Sequence, residues 1–391
     1  MKKKEGVVYH SGYYRLASVF KYMRYGVLLL LAVFTLITFA AFRQDMTEGH
    51  FRYFLNNFDF SAGASETSGE VFYYDADADA SFGFVSGGLV TLTDSRVFVT
   101  DRSSSTTLSA YHGYRQPIGA YSDAYMVLYD RKGSTVTVYN AFSLLKTFTY
   151  DGTITLAACA DNGNFAVAVS DSGGYYTRIF VYDRDFTVIR TLSKYKYVTA
   201  LTFMGEGDEL LIGSRFTDNG KTGYELQSLD VDTTVPTFTL TLPESVYAIK
   251  AGEGGFSALA EGAILSYDED GTLLKRMAYS ALPHKSILLR GGALLATGGS
   301  DSRQETLTYY TEAASHEIVL KGRLRSAEED ANYVYLLTEE GLFAFDKKAK
   351  EVRDLSAVLP TEEAVTLVSN GERVYLAYSH RADRLDGAKG A

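Results

Sequence analysis

The chain has 391 residues, 46% hydrophobic and 22% charged, with a formal net charge of −10. This composition excludes a disordered chain, and the acidic balance excludes nucleic acid as a partner. With 30 Tyr, 23 Phe and 35 Gly against 5 Pro and no Trp, the sequence combines strand-favouring aromatics with turn-forming glycines, which excludes a helix bundle and favours an all-β class.

Residues 1–24 form a basic leader, in which Lys2, Lys3, Lys4, Arg15, Lys21 and Arg24 stand against Glu5 alone. The run that follows, GVLLLLAVFTLITFAAF from Gly26 to Phe42, has no charged residue. At about 1.5 Å per residue it falls at the lower limit for a bilayer span, and Tyr22 and Tyr25 stand where interfacial aromatics do. These features predict one transmembrane helix over 25–42, with the membrane as its partner. The basic excess before the span places the N-terminus in the cytoplasm and the rest of the chain outside the cell membrane. The best small-x-small site, Thr38-Phe39-Ala40, is poor, so the segment reads as an uncleaved anchor.

Residues 43–69 form a juxtamembrane segment and linker. Phe51, Phe54, Leu55 and Phe58 make one apolar helical stripe, and SAGASETSG (Ser61–Gly69) is a small-residue linker. From residue 70 to 391 the chain reads as short strands in units of about 40 residues, the spacing of four-stranded propeller blades. The units begin near Phe84, Ile118, Ile154, Val198, Val246, Ile287, Leu324 and Val365. This predicts a β-propeller of about eight four-stranded blades, with seven blades and an irregular extra unit as the alternative. The last unit shows two clear strands, EAVTLVSNG and RVYLAYSH, before the chain turns charged; EVFYYD (Glu70–Asp75) is the natural donor of a strand that closes the ring.

The third strand of many units ends in an aromatic followed by an acid or turn residue, as in TVTVYNAF, RIFVYDRDF, AILSYDEDG and LFAFDKKAK. A more polar fourth strand follows, as in LLKTFTYD and LLKRMAYS. This signature resembles quinoprotein-like and YVTN-type propellers. Together with the basic leader and single span, the chain also looks like an uncharacterised family of membrane-anchored propellers of Gram-positive bacteria. The resemblance implies fold more than activity, because propellers host enzymes and binding platforms alike. The absence of Trp departs from quinoprotein enzymes, so no cofactor is expected.

Local motifs for chemistry are few. Asp75, Asp77 and Asp79 resemble the start of a calcium loop, but Ala80 and Ser86 occupy the positions of its Gly and Glu. The histidines lack zinc-ligand spacing, so no metal site is expected. Cys159 reads as a lone buried thiol in a strand, Ser143 and Lys146 lie in a strand-like stretch without the helical turn that Ser-x-x-Lys chemistry needs, and GEGG (Gly252–Gly255) reads as a turn. One constellation remains: loops joining the outer strand of one blade to the inner strand of the next are rich in basic and aromatic residues. They supply Tyr111, His112, Tyr114 and Arg115; Lys194, Tyr195, Lys196 and Tyr197; His284 and Lys285; and Arg323 with Arg325. Clustered on one face, these would bind an anionic partner such as an envelope wall polymer, a lipid head group or an acidic peptide. The expected function is a non-enzymatic binding or scaffolding module of the cell envelope, with no clustered acids or bases in the channel. The alternative is an envelope hydrolase or lyase whose site is assembled from several blades.

Overall fold

A computed structural model describes residues 11–41 and 71–386, apart from 75–79, 171–172, 234, 253, 280–282, 298–303, 312, 358, 360 and 362. The acidic triplet, the apolar stripe at 51–58 and the small-residue linker lie outside the described residues. The chain divides into two units, 1–58 and 59–391.

In the first unit, Ser11–Ala41 is a single helix. Among the described residues no helix is long and apolar enough to cross a membrane. Lys21 and Arg24 lie exposed within the Ser11–Ala41 helix, immediately before the apolar run. The span expected at 25–42 is corrected accordingly, and with it the single-pass topology, the cytoplasmic N-terminus and the extracytoplasmic placement of the rest.

The second unit is a propeller of eight four-stranded antiparallel blades. Strands are lettered A to D in each blade. Blades 1 to 7 cover 81–111, 117–149, 154–194, 197–242, 246–278, 285–321 and 324–354. Contacts between A strands run from each blade to the next and return from blade 8 to blade 1, so the A strands line the axis and the ring is closed. Eight blades form, and the seven-bladed alternative is excluded.

Blade 8 takes its A and B strands from Thr366–Ser369 and Val374–Ala377. Its D strand is Val71–Tyr73, the expected donor, whose Phe72 is 1% exposed and packs on Phe84 and Tyr375. The C strand between them is Arg381–Arg384, a stretch that reads in sequence as a charged tail. Alternation resolves this: Asp383 is buried and pairs with Arg381 at 3.1 Å, so the charges neutralise each other within the strand.

The aromatic-acid signature has a physical cause at the C–D turn. The aromatics Tyr139, Tyr182, Tyr267 and Phe345 are buried between blades. The next residue, Asp or Asn, folds its side chain over the turn. Asp183 Oδ1 accepts the N–H groups of Asp185 and Thr187, Asn140 Oδ1 those of Phe142 and Ser143, and Asp346 Oδ1 those of Lys348 and Ala349. Ser143 is thus a turn residue ahead of the strand that holds Lys146. Cys159 is a strand residue whose thiol burial pushes up to about 12, and the Gly252–Gly255 turn joins strands A and B of blade 5.

Side chains from facing blades interdigitate to form the core, one seam per blade pair. The leanest seam among the described residues lies between blades 5 and 6, where the buried cluster consists of Leu259, Ile264, Ala293 and Leu295. Between blades 6 and 7 the seam is fuller and includes Leu294, Leu307, Tyr309, Val334, Leu336 and Phe345.

Candidate functional site

Antiparallel strands fix which loops share a face. The A–B and C–D turns emerge at one end of the propeller, and the B–C and D–A connections at the other. The basic-aromatic loops expected from sequence are all D–A connections or flank them, so they do share a face.

Within that face the structure gathers the residues into separate clusters. Between blades 1 and 2, His112 donates from Nε2 to the Thr93 carbonyl at 3.0 Å and accepts at Nδ1 from the Tyr114 N–H at 3.0 Å. Both nitrogens are committed, which fixes the neutral tautomer with the proton on Nε2. Tyr114 is half-buried and its hydroxyl meets Thr137, whereas Tyr111 is 72% exposed and Arg115 is exposed.

Between blades 3 and 4, Lys194 donates to Gln227 and Lys196 pairs with Glu225 while lying over the Phe216 ring. Burial pulls the Lys194 ammonium below its ordinary range, with Glu225 opposing. Tyr195 packs against Tyr175 and Tyr197 against Tyr176, each pair at 4.5 Å. A third cluster spans the starts of blades 6 and 7: His284 pairs with the buried Glu305, which also takes the Leu324 N–H, and Lys285 Nζ donates to the Arg325 carbonyl at 2.5 Å. Arg323 and Arg325 are exposed. The charge expected to draw an anionic partner is therefore partly spent inside the protein, on Glu225 and Glu305.

The aromatic component is stronger than the sequence suggested. Among the described residues of the propeller, the large exposed aromatics are Tyr73, Tyr111, Tyr176, Tyr195, Tyr197 and Tyr247. Tyr73, Tyr176 and Tyr247 were not singled out by sequence; each sits at the end or start of a strand, where the residue's face is set by the fold and not by alternation. Tyr73 ends the D strand of blade 8, Tyr176 lies in the B–C connection of blade 3, and Tyr247 is the second residue of the A strand of blade 5. All six stand at the D–A end.

The opposite end holds a second feature that sequence reasoning missed. Where the seam between blades 5 and 6 thins, a cavity of about 630 Å³ opens among the A–B and C–D turns of blades 5 to 8. Glu329, 7% exposed, stands in its wall; Oε1 accepts the Gly291 N–H at 2.6 Å and Oε2 pairs with Lys347 Nζ at 2.6 Å. The Tyr309 hydroxyl approaches Oε2 at 3.5 Å, and burial, with Glu329 adding to it, pushes that phenol well above its ordinary range. Arg290 lines the same cavity. Toward the axis, burial raises the Glu328 carboxyl above its ordinary value, with Lys250 and Arg290 opposing. The available signal was the adjacent pair Glu328-Glu329 in an inner strand, where apolar residues are the rule. Acids and bases therefore do gather near the channel, contrary to the expectation of a bland one.

The fold and its two furnished ends define an eight-bladed β-propeller. Residues 69–234 match DUF5711, a family of unknown function. No curated protein matches the chain. Among solved structures, it is similar to BamB from Moraxella catarrhalis, with TM-score 0.51 and 12% identity over 80% of this chain and 98% of that one. It is also similar to apo AztD from Citrobacter koseri, with TM-score 0.52 and 11% identity over 82% of this chain and 92% of that one. At these identities the likeness establishes the fold.

Proposed function

We propose that this chain is a binding or scaffolding module that receives a protein partner on the D–A face of the propeller. The observation that carries the reading is the confinement of six exposed tyrosines to that one end. Exposed Tyr is costly to leave in water and is enriched at interface centres, where its rigid ring gives contact area at small entropic cost. Tyr111 and Arg115, the Lys194–Tyr197 loop, His284 with Lys285, and Arg323 with Arg325 would supply the recognition surface. The residual cations favour a partner segment carrying carboxylates beside apolar groups. The alternative, a hydrolase or lyase assembled from several blades, draws its support from the acids and bases at the opposite end.

A photo-crosslinking residue substituted for Tyr195 or Tyr247 in the full chain tests the reading, with Val188, exposed at the outer edge toward the other end, as the control position. The tyrosine positions are expected to give a discrete protein adduct that the Val188 position does not. Equal adducts from all three, or none from the tyrosines, would overturn it.

A further inference from the structure

We propose that the cavity at the A–B end, between blades 5 and 6, is a binding site for a small hydroxylated oxyanion, with Arg290 as its anchor. The size is right for a small molecule: about 630 Å³ lies within the range of ligand pockets. Its electrostatics follow from which charges are already spent. Glu329 gives its oxygens to Gly291, Lys347 and Tyr309. Asp330 is consumed by its own turn, accepting the N–H groups of Asn332 and Tyr333 at Oδ1 and the Tyr335 hydroxyl at Oδ2. Neither acid has an unpartnered oxygen to offer a cation in the cavity.

The cations are in the opposite condition. Arg290 is exposed in the cavity wall and, among the described residues, makes no ion pair or hydrogen bond through its guanidinium; the carboxylates of Glu328 and Asp123 reach it only through their longer-range fields. Lys347 spends one proton on Glu329 and another on the Asp330 carbonyl at 2.7 Å, which leaves a third. The backbone makes room for the guanidinium: at Gly371, where φ is +92°, an added Cβ would come within 2.5 Å of Arg290 Nη1. A planar donor fork held beside an open cavity matches a carboxylate or phosphate, which it engages through two parallel hydrogen bonds. Thr311 on the wall spends its hydroxyl on its own turn, donating to the Ala314 carbonyl at 2.9 Å and accepting the Ala314 N–H at 3.1 Å, so Ser257 is the wall hydroxyl left to favour a ligand that carries hydroxyls. This site lies at the opposite end from the tyrosine face and stands independently of it.

Calorimetric titration of the full chain with glucuronate, glucose 6-phosphate, inorganic phosphate and glucose tests the assignment. Glucuronate or glucose 6-phosphate is expected to bind in the millimolar range or tighter, glucose and inorganic phosphate far more weakly; which of the two sugars binds distinguishes a carboxylate from a phosphate source. Arg290→Gln is expected to weaken binding by about ten- to a hundred-fold, and Arg290→Lys by less, because a single ammonium loses the fork. Tyr111→Ser, at the other end, is expected to bind as the parent does. If Arg290→Gln fails to fold, the affinity lost by Arg290→Lys decides. Unchanged affinity in the folded Arg290 variant, binding of neither sugar anion, or equal binding of glucose or inorganic phosphate would overturn the assignment.

Discussion

The two halves of the ring are built from the same strands and closed in different ways. In blades 1 to 4 each A–B turn is fastened to the next. Ser86 donates through N–H and Oγ to the Asp123 carbonyl at 2.9 and 3.0 Å, the Asp123 N–H donates to Asp161 Oδ1 at 2.8 Å, and Asn162 Nδ2 donates to Asp208 Oδ1 at 3.0 Å. Asn164 Nδ2 adds a bond to the Gly207 carbonyl at 3.1 Å. Among the described residues of blades 5 to 8 this stitching gives way to the Gly291–Glu329–Lys347 linkage and to the cavity. Short polar side chains at consecutive turns close a propeller end, while one buried ion pair holds its neighbours and leaves space between them.

The largest effect that tests this contrast is expected in the packed half. Phe165→Ala in blade 3 removes a fully buried ring that meets Phe148, Tyr182 and Phe186, and should cost about 3–5 kcal/mol in urea unfolding. Leu295→Ala, in the lean seam of blade 6, should cost nearer to about 2 kcal/mol, because its surroundings already border the cavity. Equal losses at the two sites would remove the distinction in packing. Glu329→Ala leaves the Lys347 ammonium and the Gly291 N–H without their partner and should cost about 3 kcal/mol by the same measurement.

Asp161→Ala breaks one stitch and should cost about 1 kcal/mol, with faster hydrogen exchange at the Asp123 amide as its local signature. The smallest effect concerns pH. Glu328 has a folded-state value raised by burial, so the folded protein holds that proton more tightly than the unfolded chain. Its contribution is present in full below the ordinary 4.5 and is lost as pH rises through the raised value. Glu328→Gln should therefore flatten the fall in melting temperature over that interval; an unchanged profile would show that the carboxyl is solvated like any surface acid.

Sequence periodicity revealed the blades because it records burial: aromatics at the ends of C strands, and the Asp or Asn behind them, are imposed by each unit's own seam and turn. Arg381–Arg384 escaped notice because the Arg381–Asp383 pairing hides strand alternation beneath charge. The D–A loops were legible as basic and aromatic, but not as partly neutralised, since Glu225 and Glu305 approach them from strands distant in sequence. The cavity was illegible for a related reason: Arg290 comes from the A–B turn of blade 6, Glu329 from the A strand of blade 7 and Lys347 from its C–D turn, and only the folded ring brings them together. The apolar run near the N-terminus showed the reverse failure, where composition alone suggested a span that the described helix does not provide.

Blade 8 also has a consequence for how the molecule is made. Its outermost strand, Val71–Tyr73, is synthesised before any other strand of the propeller, whereas its mate Arg381–Arg384 comes last. A chain emerging from the ribosome can order blades 1 to 7 one after another, but it must keep that first strand unclaimed until more than 300 residues have followed. The entropy of closing so long a loop grows only slowly with its length, so the delay is a matter of time more than of free energy. Meanwhile Phe72 and the unpaired edge beside it stay open to a neighbouring chain's blade 8, which makes strand exchange between copies the characteristic error of this fold.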